Sequence, residues 1–353
     1  MKKPSIILSI VMTICVMCAT IPHAFANEIS GLYIQSPVVD NRRNDFIETI
    51  TNNVFSELYH MDDIGSIESN DIYMGQAFQL NEITYSPIVN DNKIIALLAV
   101  FSVDSELSWS LSKDYSDGLN AIARQTSQQS PAFLFTKKGN VYSKIGLQIQ
   151  KITNNPENDL ISEREYDSLV TYNILVPRID NPISGKFDKS IRSVLSVRKL
   201  NFDFKETQGA QQWCAAFVTA QILRFKGKGD VRAQQIMSYF YPYASNLESK
   251  SLTHGNVINY ANTKGVYPYK TSRVLSYSEV ISQVNASKPI YLSAKGSGSY
   301  NGMSHALALG GYSDYMYFVW NPWNPWYISM PIGSQTIAVS GGTFTWKETI
   351  LDW

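Results

Sequence analysis

The stretch that decides the fold is ETQGAQQWCAAFVTAQILRF, residues 206–225. Small and apolar residues follow Cys214 at helical spacing, and the next four residues, Lys-Gly-Lys-Gly, are typical of a helix end. We therefore predict a buried helix over Cys214–Phe225. Because the start of a helix is electropositive and stabilises a thiolate, we expect the pKa of Cys214 to fall.

The positions of the cysteines also single out Cys214 as a candidate functional residue. An apolar run at Ile6–Val16 followed by the cleavage pattern Ala-Phe-Ala predicts a signal peptide over residues 1–26. The run is short for a membrane span, so no stable membrane anchor is expected. Cys15 and Cys18 leave with the signal peptide, which makes Cys214 the lone thiol of an exported chain. Such a thiol is either an inert buried side chain or a nucleophile.

The chain divides by charge. Residues 27–190 hold 13 Lys and Arg against 22 Asp and Glu, whereas residues 191–353 hold 15 against 8. This division suggests two surfaces that attract each other, as a pro-segment and its enzyme would, or two domains with unrelated charges. Proline, glycine, serines and basic residues within Asn181–Lys199 predict an exposed, cleavable seam. The predicted domains are residues 27–190 and residues 191–353.

Both halves are predicted to be α+β. In the first half, strands are expected within Tyr85–Val103 and Pro131–Ile152, and helices within Asn44–Tyr59 and Ser105–Arg124. In the second half, helices precede a sheet. The predicted helices are Cys214–Phe225, Val231–Tyr239, Gly255–Asn262 and Ser276–Val284, and the predicted strands are Ile290–Ala294, Ala306–Tyr312, Met316–Trp320, Thr336–Val339 and Thr343–Lys347.

A cysteine nucleophile needs a neighbouring imidazole, and few histidines are available. Those after the signal peptide are His60, His254 and His305. His305 lies in GMSHALALGGY, residues 302–312, where small and apolar neighbours predict a buried strand that begins near the imidazole. A histidine there is a candidate base or a structural residue. His254 follows a turn that opens a helix, and we expect it to face solvent.

Two amide side chains could complete the chemistry. Asn321 follows the apolar run Met316–Trp320, and an asparagine at a strand end can accept the imidazole N–H and fix its tautomer. Asn-Pro is also a common turn. Asn324 repeats the Asn-Pro-Trp unit, so the spacing leaves the choice between Asn321 and Asn324 open. Gln208 precedes Cys214 by one short loop and could help its N–H to stabilise an oxyanion. Three tryptophans could cover the His–Asn bond or belong to the core: Trp320, Trp323 and Trp326.

Together, residues 206–215 and the Trp-Asn-Pro-Trp unit at 320–323 resemble the active-site segments of the staphopains, secreted papain-like cysteine proteases of Gram-positive bacteria. The resemblance covers roughly residues 199–353. It implies a papain-like fold, helical first and then an antiparallel sheet, behind an inhibitory α+β pro-domain over residues 27–190. It assigns the oxyanion role to Gln208 and the nucleophile, base and orienting roles to Cys214, His305 and Asn321.

Two departures from the family pattern affect the cleft. Ala216 stands where a glycine is expected, which would crowd the cleft near the nucleophile. Pro325 follows Asn324 where a more polar continuation is expected, so the loop after Asn321 could differ in shape.

The residues leave rival functions open. A cell-wall amidohydrolase or a transglutaminase-like acyltransferase could use the same cysteine and histidine, and an inactive binding protein could retain the fold. No metal or other cofactor is expected, since Cys214 has no histidine at ligand spacing. Nucleic acid is not an expected partner, because the positive charge is modest and scattered. The expected partners of a monomer are protein or peptide substrates and its own pro-domain, and a dedicated inhibitor is left open.

Overall fold

The computed structural model describes residues 32–61, 72–137, 140–153 and 197–353. These described residues belong to one compact unit. The predicted signal peptide and the predicted seam up to residue 196 lie outside the described residues. None of the helices within the described ranges has the length and apolarity that crossing a bilayer requires.

The N-terminal part, described residues 32–153, combines helices with short strands. Its first helix begins after Asp40, whose carboxylate accepts a hydrogen bond from the Arg43 N–H at 2.8 Å. That helix buries one apolar face against the strands. The helices are α1 (Asn41–Leu58) and α2 (Ser116–Ala123), and the strands are β1 (Ile34–Gln35), β2 (Tyr73–Met74), β3 (Phe78–Leu80), β4 (Ile83–Asn90), β5 (Lys93–Val103), β6 (Glu106–Ser112), β7 (Ala132–Lys137), β8 (Asn140–Ile145) and β9 (Gln148–Lys151).

The helix predicted within Ser105–Arg124 is wrong in its first half. The sequence ELSWSLS of β6 alternates large apolar residues with serines, which is the period of a strand. Asp104 and Ser105 have φ angles of 50° and 70°, and the tight turn that they make returns β6 along β5. Helical structure begins only at α2.

The C-terminal part, described residues 197–353, contains the four predicted helices and the five predicted strands, together with three strands that were not predicted. The first predicted helix has the expected bounds, and the other three are confirmed within two residues. The helices are α3 (Cys214–Phe225), α4 (Ala233–Phe240), α5 (His254–Thr263) and α6 (Tyr277–Asn285), and the strands are β10 (Arg198–Lys199), β11 (Tyr269–Thr271), β12 (Ile290–Gly298), β13 (Ser304–Tyr312), β14 (Met316–Trp320), β15 (Tyr327–Pro331), β16 (Thr336–Val339) and β17 (Gly342–Leu351).

One antiparallel sheet runs through both parts. Its order is β11-β17-β12-β13-β14-β15-β6-β5-β4-β2, with β10, β16 and β3 paired to β13, β17 and β4. The parts meet where Ser329 of β15 lies opposite Leu111 of β6. A second sheet has the order β1-β7-β8-β9. The described chain is therefore α+β, and the helices α3 and α6 pack beside β13.

Buried polar groups join the two parts in addition to the strands. Asp114 accepts hydrogen bonds from the N–H of Ser340 at 2.8 Å and from its hydroxyl at 3.1 Å. Glu57 of α1 accepts one from the Ser313 hydroxyl at 2.7 Å. Among the residues described, each ion pair joins residues of the same part.

Glu57→Gln is expected to remove a pH dependence of stability. Burial raises the pKa of Glu57 from 4.5 to about 7, the Ser313 hydrogen bond opposes the rise, and Asp314 adds to it. The folded state therefore holds this proton more tightly than the unfolded state, and stability falls as the pH rises from 4.5 towards 7. The loss attributable to Glu57 between pH 5 and pH 8 is about 2 to 3 kcal/mol.

Urea unfolding of residues 27–353 measures this loss, in a Cys214→Ala background that prevents self-cleavage. The parent chain should lose more stability than the Glu57→Gln variant over that pH range. Glu106→Gln, which changes an exposed acid of the same part, should behave like the parent. Equal losses in the parent and Glu57→Gln would contradict the prediction.

Candidate active site

Cys214 is the first residue of α3. Trp213 occupies the N-cap position without a side-chain hydrogen bond to the helix, so the amides of the first turn are open to another acceptor. The thiol is partly buried and accepts hydrogen bonds from the backbone N–H groups of Ala306 and Ala215. It lines a cleft of about 620 Å³.

The expected fall in the pKa of Cys214 is wrong for this form of the chain. Burial raises the pKa of the thiol, and the hydrogen bonds from Ala306 and from the helix start lower it by less. The electropositive helix end is present as predicted. Removal from water penalises the thiolate more strongly than that end stabilises it.

His305 is the second residue of β13 and lines the same cleft. Its side chain is buried, and its Nε2 lies 2.9 Å from Oδ1 of Asn321. Since an amide oxygen only accepts, Nε2 carries the proton, and Nδ1 of the neutral ring is left as the acceptor. Burial lowers the pKa of His305 from 6.5 to about 4, against the opposing effect of the Asn321 hydrogen bond.

Asn321, rather than Asn324, is the partner of His305. Asn321 directly follows β14 and is fully buried, and its Oδ1 also accepts the Trp323 N–H at 3.2 Å. Asn324 lies in the following bend, where its carbonyl accepts the Trp320 indole N–H at 2.7 Å. The two Asn-Pro-Trp units therefore do different things, one at the imidazole and one in the turn.

Gln208 is buried and lines the cleft. Its side-chain amide donates to the carbonyl of Gln211, and its backbone N–H donates to the carbonyl of Pro322 at 2.7 Å. The second bond ties the loop before Cys214 to the loop after Asn321. The side-chain NH₂ has two hydrogens, so one remains available for a group in the cleft.

The four predicted residues thus line or adjoin one cleft. Residues 194–353 match the family model described as staphopain peptidase C47. The C-terminal part is thus similar to the staphopains, which are cysteine peptidases, and we call it the staphopain domain for that similarity.

Individual relatives of the staphopain domain are distant. Staphopain A of Staphylococcus aureus is 27% identical over 166 residues, 44% of this chain and 43% of its own length. An extracellular cysteine protease of Staphylococcus epidermidis is 26% identical over 161 residues, 42% of this chain and 92% of its own. Among solved structures, a C39-like peptidase of Bacillus anthracis matches 42% of this chain and 96% of its own, with 12% identity and a TM-score of 0.26.

An aromatic cover encloses the histidine of the staphopain domain. The Trp323 ring stacks on His305 with centroids 4.3 Å apart, and Phe344 approaches from β17 at 4.8 Å. Of the three tryptophans considered from the sequence, Trp323 covers the imidazole. Trp320 is fully buried in the core and Trp326 is half-buried. Phe344 was not recognised from the sequence, because nothing near it marks a site.

His254 also belongs to the cleft, contrary to the expectation that it faces solvent. It is the first residue of α5, with 24% of its side chain exposed, and its Nδ1 lies 3.6 Å from a carboxylate oxygen of Glu348. Its ring meets Tyr291 edge-on at 6.0 Å. His60 lies elsewhere, at the end of α1, where its carbonyl accepts the Lys199 ammonium at 2.6 Å.

The two departures from the family pattern have small consequences in this staphopain domain. Ala216 is fully buried in the core and does not line the cleft, so the expectation of crowding there is wrong. Pro325 is exposed in the bend that leads to β15. The bend is held by the Trp320 indole, which donates to the residue before Pro325.

Proposed function

We propose that this chain is a secreted cysteine endopeptidase made as a zymogen. Residues 27–190 are its inhibitory pro-domain and residues 191–353 its papain-like catalytic domain. The observation that carries the proposal is the bond of His305 Nε2 to Asn321 Oδ1, 2.9 Å long, in the cleft that Cys214 lines. It directs the basic nitrogen of the ring away from Asn321 and makes it available to a thiol.

In the proposed reaction, Nδ1 of His305 takes the proton of Cys214 and the thiolate attacks a peptide carbonyl. The imidazolium then protonates the leaving amine, which leaves an acyl group on sulfur. Water, deprotonated by His305, releases the acid and regenerates the thiol. Asn321 holds the imidazole in the required tautomer throughout.

The pKa shifts of Cys214 and His305 indicate the protonation state of this pair before substrate binds. Burial disfavours the thiolate of Cys214 and the imidazolium of His305 alike. Proton transfer between them creates opposite charges that attract, so the pair titrates as a unit rather than as two separate groups. In the described form, the neutral thiol and neutral imidazole are favoured, which suits a proenzyme.

Gln208 is the proposed donor to the oxyanion. The tetrahedral intermediate places negative charge beside the thiol, within reach of the Cys214 backbone N–H. The remaining hydrogen of the Gln208 amide is the second donor, and its contacts to Gln211 and Pro322 fix the side chain in advance. A preorganised donor needs no reorganisation during the reaction.

Secretion and protein substrates rest on sequence and family. The predicted signal peptide directs export, and one relative of the domain is named an extracellular cysteine protease. A cleft of about 620 Å³ open to solvent suits an extended peptide.

Cleavage of casein by residues 27–353, with and without the epoxide thiol-protease inhibitor E-64, tests the proposal. We expect cleavage that the inhibitor stops, with its mass added to Cys214. Parallel incubations with peptidoglycan fragments and with a labelled amine plus a protein acceptor examine the rival chemistries. Release of muropeptides or amine incorporation without casein cleavage would replace the proposal by an amidohydrolase or an acyltransferase.

Asn321→Ala should lower kcat/KM for a peptide by on the order of 10²-fold, because the imidazole loses the bond that fixes its tautomer. Asn324→Ala is the matched control, since Asn324 uses its backbone carbonyl in the bend. We expect the control to retain kcat/KM within about threefold. Kinetics of both variants, with melting temperatures for comparison, measure the difference. A similar loss in both would show that the loop and not the imidazole contact was affected.

A further inference from the structure

Tyr300 lies in the turn between β12 and β13 and lines the cleft, yet only 3% of it is exposed. Two glycines make room for it. A Cβ on Gly296 would lie 2.7 Å from the Cβ of Tyr300, and a Cβ on Gly342 would lie 2.5 Å from its ring. Larger residues at these positions would displace the ring, so the backbone around Tyr300 is shaped to hold it.

The Tyr300 ring continues the aromatic cover of the imidazole. Its centroid lies 5.5 Å from that of Trp323 and 4.7 Å from that of Phe344. These two rings are the ones that contact His305. Tyr300 therefore limits how far Trp323 and Phe344 can move away from the imidazole, and how much water can reach the His305–Asn321 bond.

The Tyr300 phenol lies beside a residue that is bound to the N-terminal part. Burial raises the pKa of this phenol and the neighbouring Ser340 side chain lowers it by less, and Ser340 donates both its N–H and its hydroxyl to Asp114. Ser340 has a φ of 43°, in the left-handed region, which a non-glycine residue keeps only when its neighbours hold it. Tyr85, also from the N-terminal part, accepts the N–H of Gly341 at 3.0 Å.

We propose that Tyr300 is a positioning residue for His305 and that Asp114 sets its position when the N-terminal part is docked. The inference rests on the proposed function, since it assumes that His305 serves Cys214. The N-terminal part then affects the position of His305 from outside the cleft. The effect passes through the turn at Ser340 and then through the stacked rings of Tyr300, Trp323 and Phe344. No residue of that part needs to enter the cleft for this effect.

The expected consequence concerns water at the imidazole. His305 is surrounded by Trp323, Phe344 and Asn321, and burial is the main influence on its pKa. Loosening the stack admits water, which reduces the penalty on both the imidazolium and the thiolate. The pair then ionises at lower pH.

The groups that face Asp114 are phenols, which do not titrate near neutral pH. They are Tyr85, Tyr115 and Tyr300. Burial raises the pKa of Asp114 itself to about 6, against its hydrogen bonds from Ser340. Measurements above and below that value should therefore be compared between variants at the same pH.

The test is the rate of Cys214 alkylation by iodoacetamide against pH, in residues 27–353, followed by intact mass. Tyr300→Phe keeps the ring and removes the hydroxyl, and Asp114→Asn removes one acceptor. Each should move the midpoint of the profile down by about half a pH unit or more. Because both act along one path, the double variant should move it no further than the larger single change.

Ser108→Ala is the matched control. It removes another hydrogen bond between the two parts, the one to the Ser334 hydroxyl at 2.8 Å. It leaves unchanged the ring contacts among Tyr300, Trp323, Phe344 and His305. It should keep the parent midpoint. An unchanged midpoint in Tyr300→Phe, or additive shifts in the double variant, would overturn the inference. If His305→Ala has the same profile as the parent, the proposed function fails instead, and the two failures are thereby distinguished.

Discussion

Cys214→Ala should abolish cleavage of casein by residues 27–353, and the variant chain should keep its full size during incubation. The alanine removes the sulfur that we propose forms the acyl-enzyme, and residues 27–353 contain no other cysteine. The expected loss of kcat is on the order of 10⁵-fold or more, the scale at which removal of a nucleophile leaves only residual binding effects. Electrophoresis over time and a fluorogenic peptide assay measure it.

Mixing the two chains separates catalysis from folding. Alanine at a helix start is compatible with α3, so the variant should have a melting temperature close to that of the parent. Added in trace amount, the parent should shorten Cys214→Ala to the same fragment that it forms itself. A variant that shortens alone would show that Cys214 is not the nucleophile. A variant that resists the parent would show that the parent's cut is strictly intramolecular.

The helices of the C-terminal part could be predicted from the sequence because the spacing of their apolar residues matches the faces that they bury. The residues from Cys214 to Phe225 are almost continuously apolar, and a buried helix satisfies both their backbone and their side chains. The helix prediction for the first half of Ser105–Arg124 was wrong because its apolar residues are compatible with two patterns. Their spacing loosely fits a helix, but their strict alternation with serines fits a strand. A turn at Asp104–Ser105 decided between the two, and its left-handed residues carry little sequence signal.

The choice between Asn321 and Asn324 required the register of the sheet. Trp320 lies opposite Ala308, so the residue after Trp320 emerges beside the start of β13, where His305 lies. Asn324 comes three residues later, after the chain has turned away. Identical neighbours in sequence cannot distinguish the two positions, because the difference lies in which strand each one adjoins.

The pKa of Cys214 shows a different limit of the sequence. A helix start can be recognised from spacing, and its effect on a thiolate has a known direction. Burial acts in the opposite direction, and its size depends on how segments distant in the sequence fold around the thiol, among them β13 with Ala306. For Cys214 the sequence therefore supplies one of two competing effects.

His305→Ala should reduce both cleavage and the reactivity of the thiol. Without a base, Cys214 titrates alone, and burial holds its pKa above the ordinary value. Alkylation at pH 7 should therefore fall by about tenfold or more, with a profile displaced to higher pH. For peptide cleavage we expect kcat/KM to fall by on the order of 10³-fold or more, since no group protonates the leaving amine.

His254→Ala is the matched control for this loss, because it removes the other histidine of the same cleft. Its imidazole interacts with Glu348 and Tyr291 rather than with Asn321, so it should change KM at most and leave the alkylation profile of Cys214 at its parent position. If the two variants exchange these outcomes, His254 is the base and the His305–Asn321 pair is structural. Both imidazole rings line one cleft, but only the His305 ring is hydrogen-bonded to the Asn321 amide oxygen, which fixes its tautomer. The paired measurement examines this difference.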